Sequence, residues 1–192
     1  MGRPPLPGDP PVTVVRYDNR GGAFQAADHL LTAGQLGASS SWAGTPGLST
    51  ADQRRDGFLR ALRAHGVARA EELAPPGPYT RVSGHQRTRE APAAGPDLTA
   101  VFAGTDMDAT GVPAALREAG LDVPGDISLI GFDDVPFAAG LSPALTTVRV
   151  PYEDLGRTAV RLALEREERL GGDEHVVLGT QLLIRQSART LS

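Results

Sequence analysis

Leu98-Thr99-Ala100-Val101-Phe102-Ala103-Gly104-Thr105-Asp106 and Ile127-Ser128-Leu129-Ile130-Gly131-Phe132-Asp133-Asp134 decide the fold of this chain. Each is a short apolar run that stops abruptly in a polar turn. Between them lies a helical pattern with Val112, Ala115, Leu116 and Ala119 on one face and Gly120 as its stop. A strand that is apolar along its whole length is covered on both faces, and strands alternating with helices build a parallel sheet. The expected class is therefore α/β with a parallel sheet.

Working outward, Val12 to Arg16 is a β-branched run closed by Tyr17-Asp18-Asn19, and Ala23, Ala26, Ala27, Leu30 and Leu31 mark a helix stopped by Gly34. A second helix is expected from Ser49-Thr50. Thr50 to Gln53 fits a capping box, Phe58, Leu59 and Leu62 form its buried side, and Gly66 closes it. Toward the C-terminus, Leu145 to Val150 predicts a strand, Tyr152 to Leu170 a long helix on the stripe Leu155, Ala159, Leu162 and Ala163, and Val176 to Ile184 a last strand. Gln35 to Ala43 reads QLGASSSWA, with three serines where a buried strand needs Val or Ile, which argues against a strand there. Pro113 is tolerable only in the first turn of its helix. Met1 to Pro11 is expected to be a disordered tail, because prolines and glycines interrupt it throughout.

Composition narrows the function classes. The 192 residues carry 19 basic and 23 acidic side chains, 40% hydrophobic content and no cysteine, which excludes a disulfide scaffold and a thiolate metal site. A net charge of -4 supplies no overall field for nucleic acid. Apolar runs fall far short of the roughly 18 residues of a membrane span, and the start lacks the apolar stretch of a secretory signal, so the expected location is cytoplasmic.

Candidate chemistry follows from position. In an open α/β sheet, ligands bind outside the carboxyl ends of the strands, where loops converge and helix N-termini point outward. Asp18 and Asn19, Thr105 and Asp106, and Asp133 and Asp134 all fall at such ends. Any one of them reads equally as a helix cap. Three on one rim favour a binding crevice. A Mg²⁺ site at Asp106 with Asp108, or Asp133 with Asp134, is disfavoured because neighbouring carboxylates in a strand or tight turn point apart. His29, His65, His85 and His175 show no i, i+4 pair, and no nucleophile elbow, P-loop or dinucleotide fingerprint is present. Ser83-Gly84-His85 is unsuited to a Ser/His pair, which is built from separate loops. No metal, no cofactor and no enzymatic activity are expected.

The chain also resembles a known family. Asp18-Asn19-Arg20-Gly21-Gly22-Ala23, Leu48-Ser49-Thr50 with Arg54-Arg55-Asp56-Gly57-Phe58, the Leu98 to Asp106 run, Val123-Pro124-Gly125-Asp126-Ile127 through Asp134, and Leu141-Ser142-Pro143-Ala144-Leu145-Thr146-Thr147-Val148-Arg149 resemble the sensor domain of LacI/GalR transcriptional regulators. The resemblance covers roughly residues 12 to 190. It implies a periplasmic-binding-protein-like fold, with one nearly complete lobe and fragments of the second, and a small-molecule effector, a sugar or nucleobase, in the cleft. It places Arg54 and Asp133 at the effector, with Tyr79 and Tyr152 where ring contacts are common and Thr105 where Asn is frequent. Asp108 falls at a position usually apolar.

Those residue types suit a polyol: a carboxylate accepts from vicinal hydroxyls, a guanidinium donates a fixed fork, and aromatic faces pack on a sugar ring. The bland alternatives are a solvated Arg54 on the exposed side of its helix and a Tyr79 that merely packs beside Pro78. The family reads operator DNA through a separate helix-turn-helix. The expectation here is a chain without that motif and without the first part of the N-terminal lobe, able to form at most a weak homodimer. A non-functional truncated fragment and a solute-binding protein of a sugar transporter are the alternative readings, the latter needing a signal peptide.

Overall fold

The computed structural model describes residues 13–33, 39–41, 44–67, 70–90, 99–165 and 175–189; the expected tail lies outside them. The two apolar runs become adjacent parallel strands, β3 (Ala100–Phe102) and β4 (Ser128–Asp133), paired Ala100 to Ser128 and Phe102 to Ile130. Around them a five-stranded sheet runs in the order β2 (Ser39–Ser41), β3, β4, β5 (Thr146–Arg149) and β7 (Gln181–Leu183), with β7 antiparallel to β5. A second, two-stranded sheet pairs β1 (Val14–Tyr17) with β6 (His175–Leu178) in parallel.

The five-stranded sheet is covered on both faces. On one side, α1 (Asn19–Thr32) and α2 (Ser49–Ala64) bury Ala23, Ala27, Leu30, Phe58 and Leu62 against Phe102 and Phe132. Phe58 and Phe102 stack with centroids 5.8 Å apart. On the other side, α4 (Asp106–Ala109) and α5 (Val112–Glu118) bury Ala109, Val112 and Leu116 against Val101, Leu129 and Leu145. A further helix, α3 (Arg81–Glu90), packs along α4 and α5. Gly66, at φ +71°, ends α2 as read from the sequence, and Pro113 sits in the first turn of α5.

Four expectations are corrected. β2 forms in spite of its serines: it is the edge of the five-stranded sheet and, among the described residues, pairs with β3, a ladder that backbone groups make whatever the side chain. The last run is two strands in different sheets, split at Gly179-Thr180, where the Thr180 hydroxyl donates to the carbonyl of Asp18. The capping box is not made, since α2 starts after Leu48 with no side-chain cap. The stripe of α6 (Tyr152–Glu165) is only partly covered: Leu162 is buried and Leu155 half-buried, but Ala159 and Ala163 are exposed, and off the stripe Val160 and Leu164 are 61% and 67% exposed. Periodicity announces an apolar face, and the main neighbour of α6 among the described elements is β1 of the small two-stranded sheet.

Candidate functional site

The carboxyl ends of β1, β3 and β4 meet at one side chain. Arg54, on α2, is 4% exposed and reaches all three strand ends. Its Nε donates to Asn19 Oδ1 at 2.9 Å, Nη1 to the Gly104 carbonyl at 2.5 Å, and Nη2 to Asp133 Oδ1 at 3.0 Å and to the Tyr17 hydroxyl at 3.2 Å. The guanidinium lies on the ring of Phe132, 3.8 Å from its centroid, with the Tyr79 ring at 5.8 Å. Arg54 is therefore no solvated charge. Its burial is tolerated because the fork geometry matches a carboxylate, a carbonyl and an amide oxygen together.

Asp133 is the carboxylate of this arrangement. The Tyr152 hydroxyl donates to its Oδ1 at 3.2 Å, so Oδ1 takes both protein bonds and Oδ2 accepts none from a described residue. Burial pushes the Asp133 carboxyl up, against the pull of Arg54. Its backbone is strained: φ is +115° at Asp133 and +56° at Asp134. Asp134 turns the other way, accepting from Arg185 at 2.6 Å and Arg149 at 2.7 Å; burial alone would raise its pKa, but these two arginines outweigh it and lower the pKa. Asp106, beneath the turn, accepts from the Val135 amide at 2.9 Å and the Thr147 hydroxyl at 2.5 Å. The strained residue is thus anchored on its C-terminal side by two neighbours. Burial raises Asp106 to about 6 and Asp108 to about 7.

Of the site residues read from the sequence, Arg54, Asp133 and Tyr152 are joined by hydrogen bonds and Tyr79 stands against Arg54. Thr105 does something else. Its hydroxyl caps α4, accepting from the Asp108 amide at 3.3 Å and contacting the Asp108 carboxylate, which is the capping alternative of the sequence reading. Asp18 is likewise a cap, accepting from the Gly21 amide at 2.8 Å, while its neighbour Asn19 belongs to the Arg54 network. The paired aspartates diverge toward different partners. Two members were not singled out as site residues: Tyr17, whose ring meets Tyr152 edge-on at 6.2 Å, and the ring of Phe132. Tyr17 ends β1, the same kind of position that flagged Asp133.

An arginine joining three strand ends, beside an open carboxylate oxygen, agrees with the match of residues 27–188 to the model of the periplasmic binding protein-like domain. The chain belongs to this family. Its relatives are LacI/GalR-type regulators, as the sequence resemblance implied. It is 33% identical over 190 residues to the HTH-type transcriptional regulator CelR of Thermobifida fusca, covering 97% of this chain and 55% of CelR. It is 37% identical over 152 residues to the regulator GalR of Escherichia coli K12, covering 78% of this chain and 43% of GalR. The chain thus spans about half the length of the curated relatives it matches. Among solved structures, a transcriptional regulator CelR–cellobiose complex superposes with a TM-score of 0.86 at 33% identity, over 92% of this chain and 54% of that one. A LacI family regulator from Enterococcus faecium with bound ribose gives 0.80 at 28% identity, over 94% and 66%. No helix of the described residues is long and apolar enough to cross a membrane.

Proposed function

We propose that this chain is the small-molecule sensing domain of a LacI-type transcriptional regulator, and that its effector is a sugar held at Arg54 and Asp133. The carrying observation is the open Oδ2 of Asp133, fixed beside the half-exposed ring of Tyr152 by a buried guanidinium. A carboxylate oxygen next to an aromatic face is what a sugar ring requires, hydroxyls on one side and C–H groups on the other. Tyr79 lines the same site from the α3 side, and Thr105 serves it by capping α4 behind the Gly104 carbonyl. Relatives solved with cellobiose and with ribose support the sugar class.

In such a regulator a separate helix-turn-helix reads operator DNA, and this domain reports effector occupancy. The reading places it in the cytoplasm, as a weak homodimer and not an enzyme: among the described site residues no nucleophile stands next to a base. Isothermal titration calorimetry against cellobiose, D-galactose, D-ribose and hypoxanthine tests it. A sugar is expected to bind, with Asp133→Asn weakening it roughly 10- to 150-fold, the equivalent of about 1.5 to 3 kcal/mol for a charge-assisted bond. Binding of hypoxanthine alone, or of nothing, overturns the sugar assignment.

A further inference from the structure

Three buried polar atoms near Arg54 have no hydrogen-bond partner: the Tyr79 hydroxyl, Nη2 of Arg87 and Oδ2 of Asp108. Asp108 has no solvent exposure at all. The packing of three segments brings them into one neighbourhood. α3 lies so close to α4 that a Cβ on Gly84 would stand 2.2 Å from the Asp108 carbonyl, and Arg87 is one turn further along α3. Gly77 donates to the Gly44 carbonyl at 2.9 Å, tying two loops together. A Cβ on Gly77 would strike Arg87 Nη2, and one on Gly44, at φ +70°, would lie 2.5 Å from the Tyr79 hydroxyl. The guanidinium and the phenol thus sit under one joined pair of loops. Consistent with this, Asp108 and Arg87 each feel the other's charge, and Tyr79 feels both.

Leaving a buried polar atom without a partner forfeits its hydration with nothing in return, so three of complementary character call for a common partner. Arg87 only donates, an ionised Asp108 only accepts, and the phenol does either. A hydroxyl accepts from the first and donates to the second. An anion would be repelled by Asp108 and an ammonium by Arg87.

We propose that Tyr79, Arg87 and Asp108 form an inner subsite, beside the Arg54–Asp133 pair, that takes one hydroxyl of a neutral sugar, with Asp108 as the specificity-determining residue. The proposal rests on the sugar-sensing reading above. The experiment is calorimetry on the whole chain with cellobiose, D-galactose, D-glucose and D-ribose, followed by the monodeoxy analogues of whichever sugar binds. The wild type is expected to lose at least tenfold in affinity at one deoxy position. Asp108→Leu should bring that ratio to within threefold of unity, whereas Asp133→Asn weakens every analogue and leaves the ratio standing. Circular dichroism checks folding. If Asp108→Leu does not fold, Asp108→Asn, of nearly equal size, is measured in its place and should lower the same ratio. A sugar that binds with deoxy ratios unchanged by the Asp108 variant overturns the subsite and leaves the sugar-sensing reading intact. Failure of every sugar to bind overturns both.

Discussion

Replacing Asp133 by Gly and by Ala separates the two things this residue does. Both substitutions remove the carboxylate and with it the 3.0 Å bond from Arg54 and the 3.2 Å bond from Tyr152, so those losses cancel in the comparison. What differs is the backbone. Ala at φ +115° keeps the strain, of order 1–3 kcal/mol, whereas Gly relieves it. Gly also gives the unfolded chain more freedom, at a cost of about 0.4–1 kcal/mol. The expected balance favours Gly by roughly 1 kcal/mol, or about 2–4 °C in melting temperature for a chain of this size. Differential scanning calorimetry of the two variants side by side reads this directly, with urea midpoints at matched slope as the second measurement. If Asp133→Ala is as stable as Asp133→Gly, the turn is not strained and the argument that Asp134 and Val135 hold it in place fails.

Three other outcomes follow from the same geometry. Arg54→Leu should cost about 3–5 kcal/mol of stability in urea denaturation, because it leaves the Asp133 carboxylate and the Gly104 carbonyl buried without their donor; a loss under 1 kcal/mol would mean the network is a surface feature. Asp106 and Asp108 titrate higher in the folded chain, near 6 and 7, than unfolded, near 4, so the folded state binds more protons between those limits. Stability should therefore fall as pH rises from about 4.5 to 7.5, by on the order of 3 to 4 kcal/mol per group, and a melting temperature that climbs with pH over that window would contradict it. On α6, Val160→Ser should change stability by less than about 0.5 kcal/mol and Leu162→Ala by about 2 or more, since only Leu162 is covered; equal effects would show that the helix is turned differently.

Much of this was legible in the sequence. The parallel pair β3–β4 was readable because an unbroken apolar run has one physical explanation, burial on both faces, and the polar rim was readable because such runs end where the sheet ends. The edge strand Ser39–Ser41 was not, since its pairing rests on backbone groups that every residue carries. Nor was the break at Gly179-Thr180, where one apolar stretch serves two sheets. The partly covered stripe of α6 shows the same limit from the other side: an amphipathic pattern specifies a face but not the element that covers it. Thr105 and Asp133 both lie at the ends of apolar strand runs, and only three-dimensional neighbours separate the helix cap from the partner of Arg54.

Arg54 shows why the site itself needed the structure. On its helix it is one arginine beside another, and its carboxylate partner lies 79 residues away. Folding makes it a tie between the sheets, because Tyr17 belongs to the two-stranded sheet while Gly104 and Asp133 sit at the carboxyl ends of the five-stranded one. One guanidinium thus bonds to both bodies at the point where the effector is proposed to bind. A ligand hydroxyl that takes the open oxygen of Asp133 competes with, or reinforces, the bonds that relate the sheets. If the effector is held there as proposed, it would shift their relative position only in so far as it binds one arrangement better than the other.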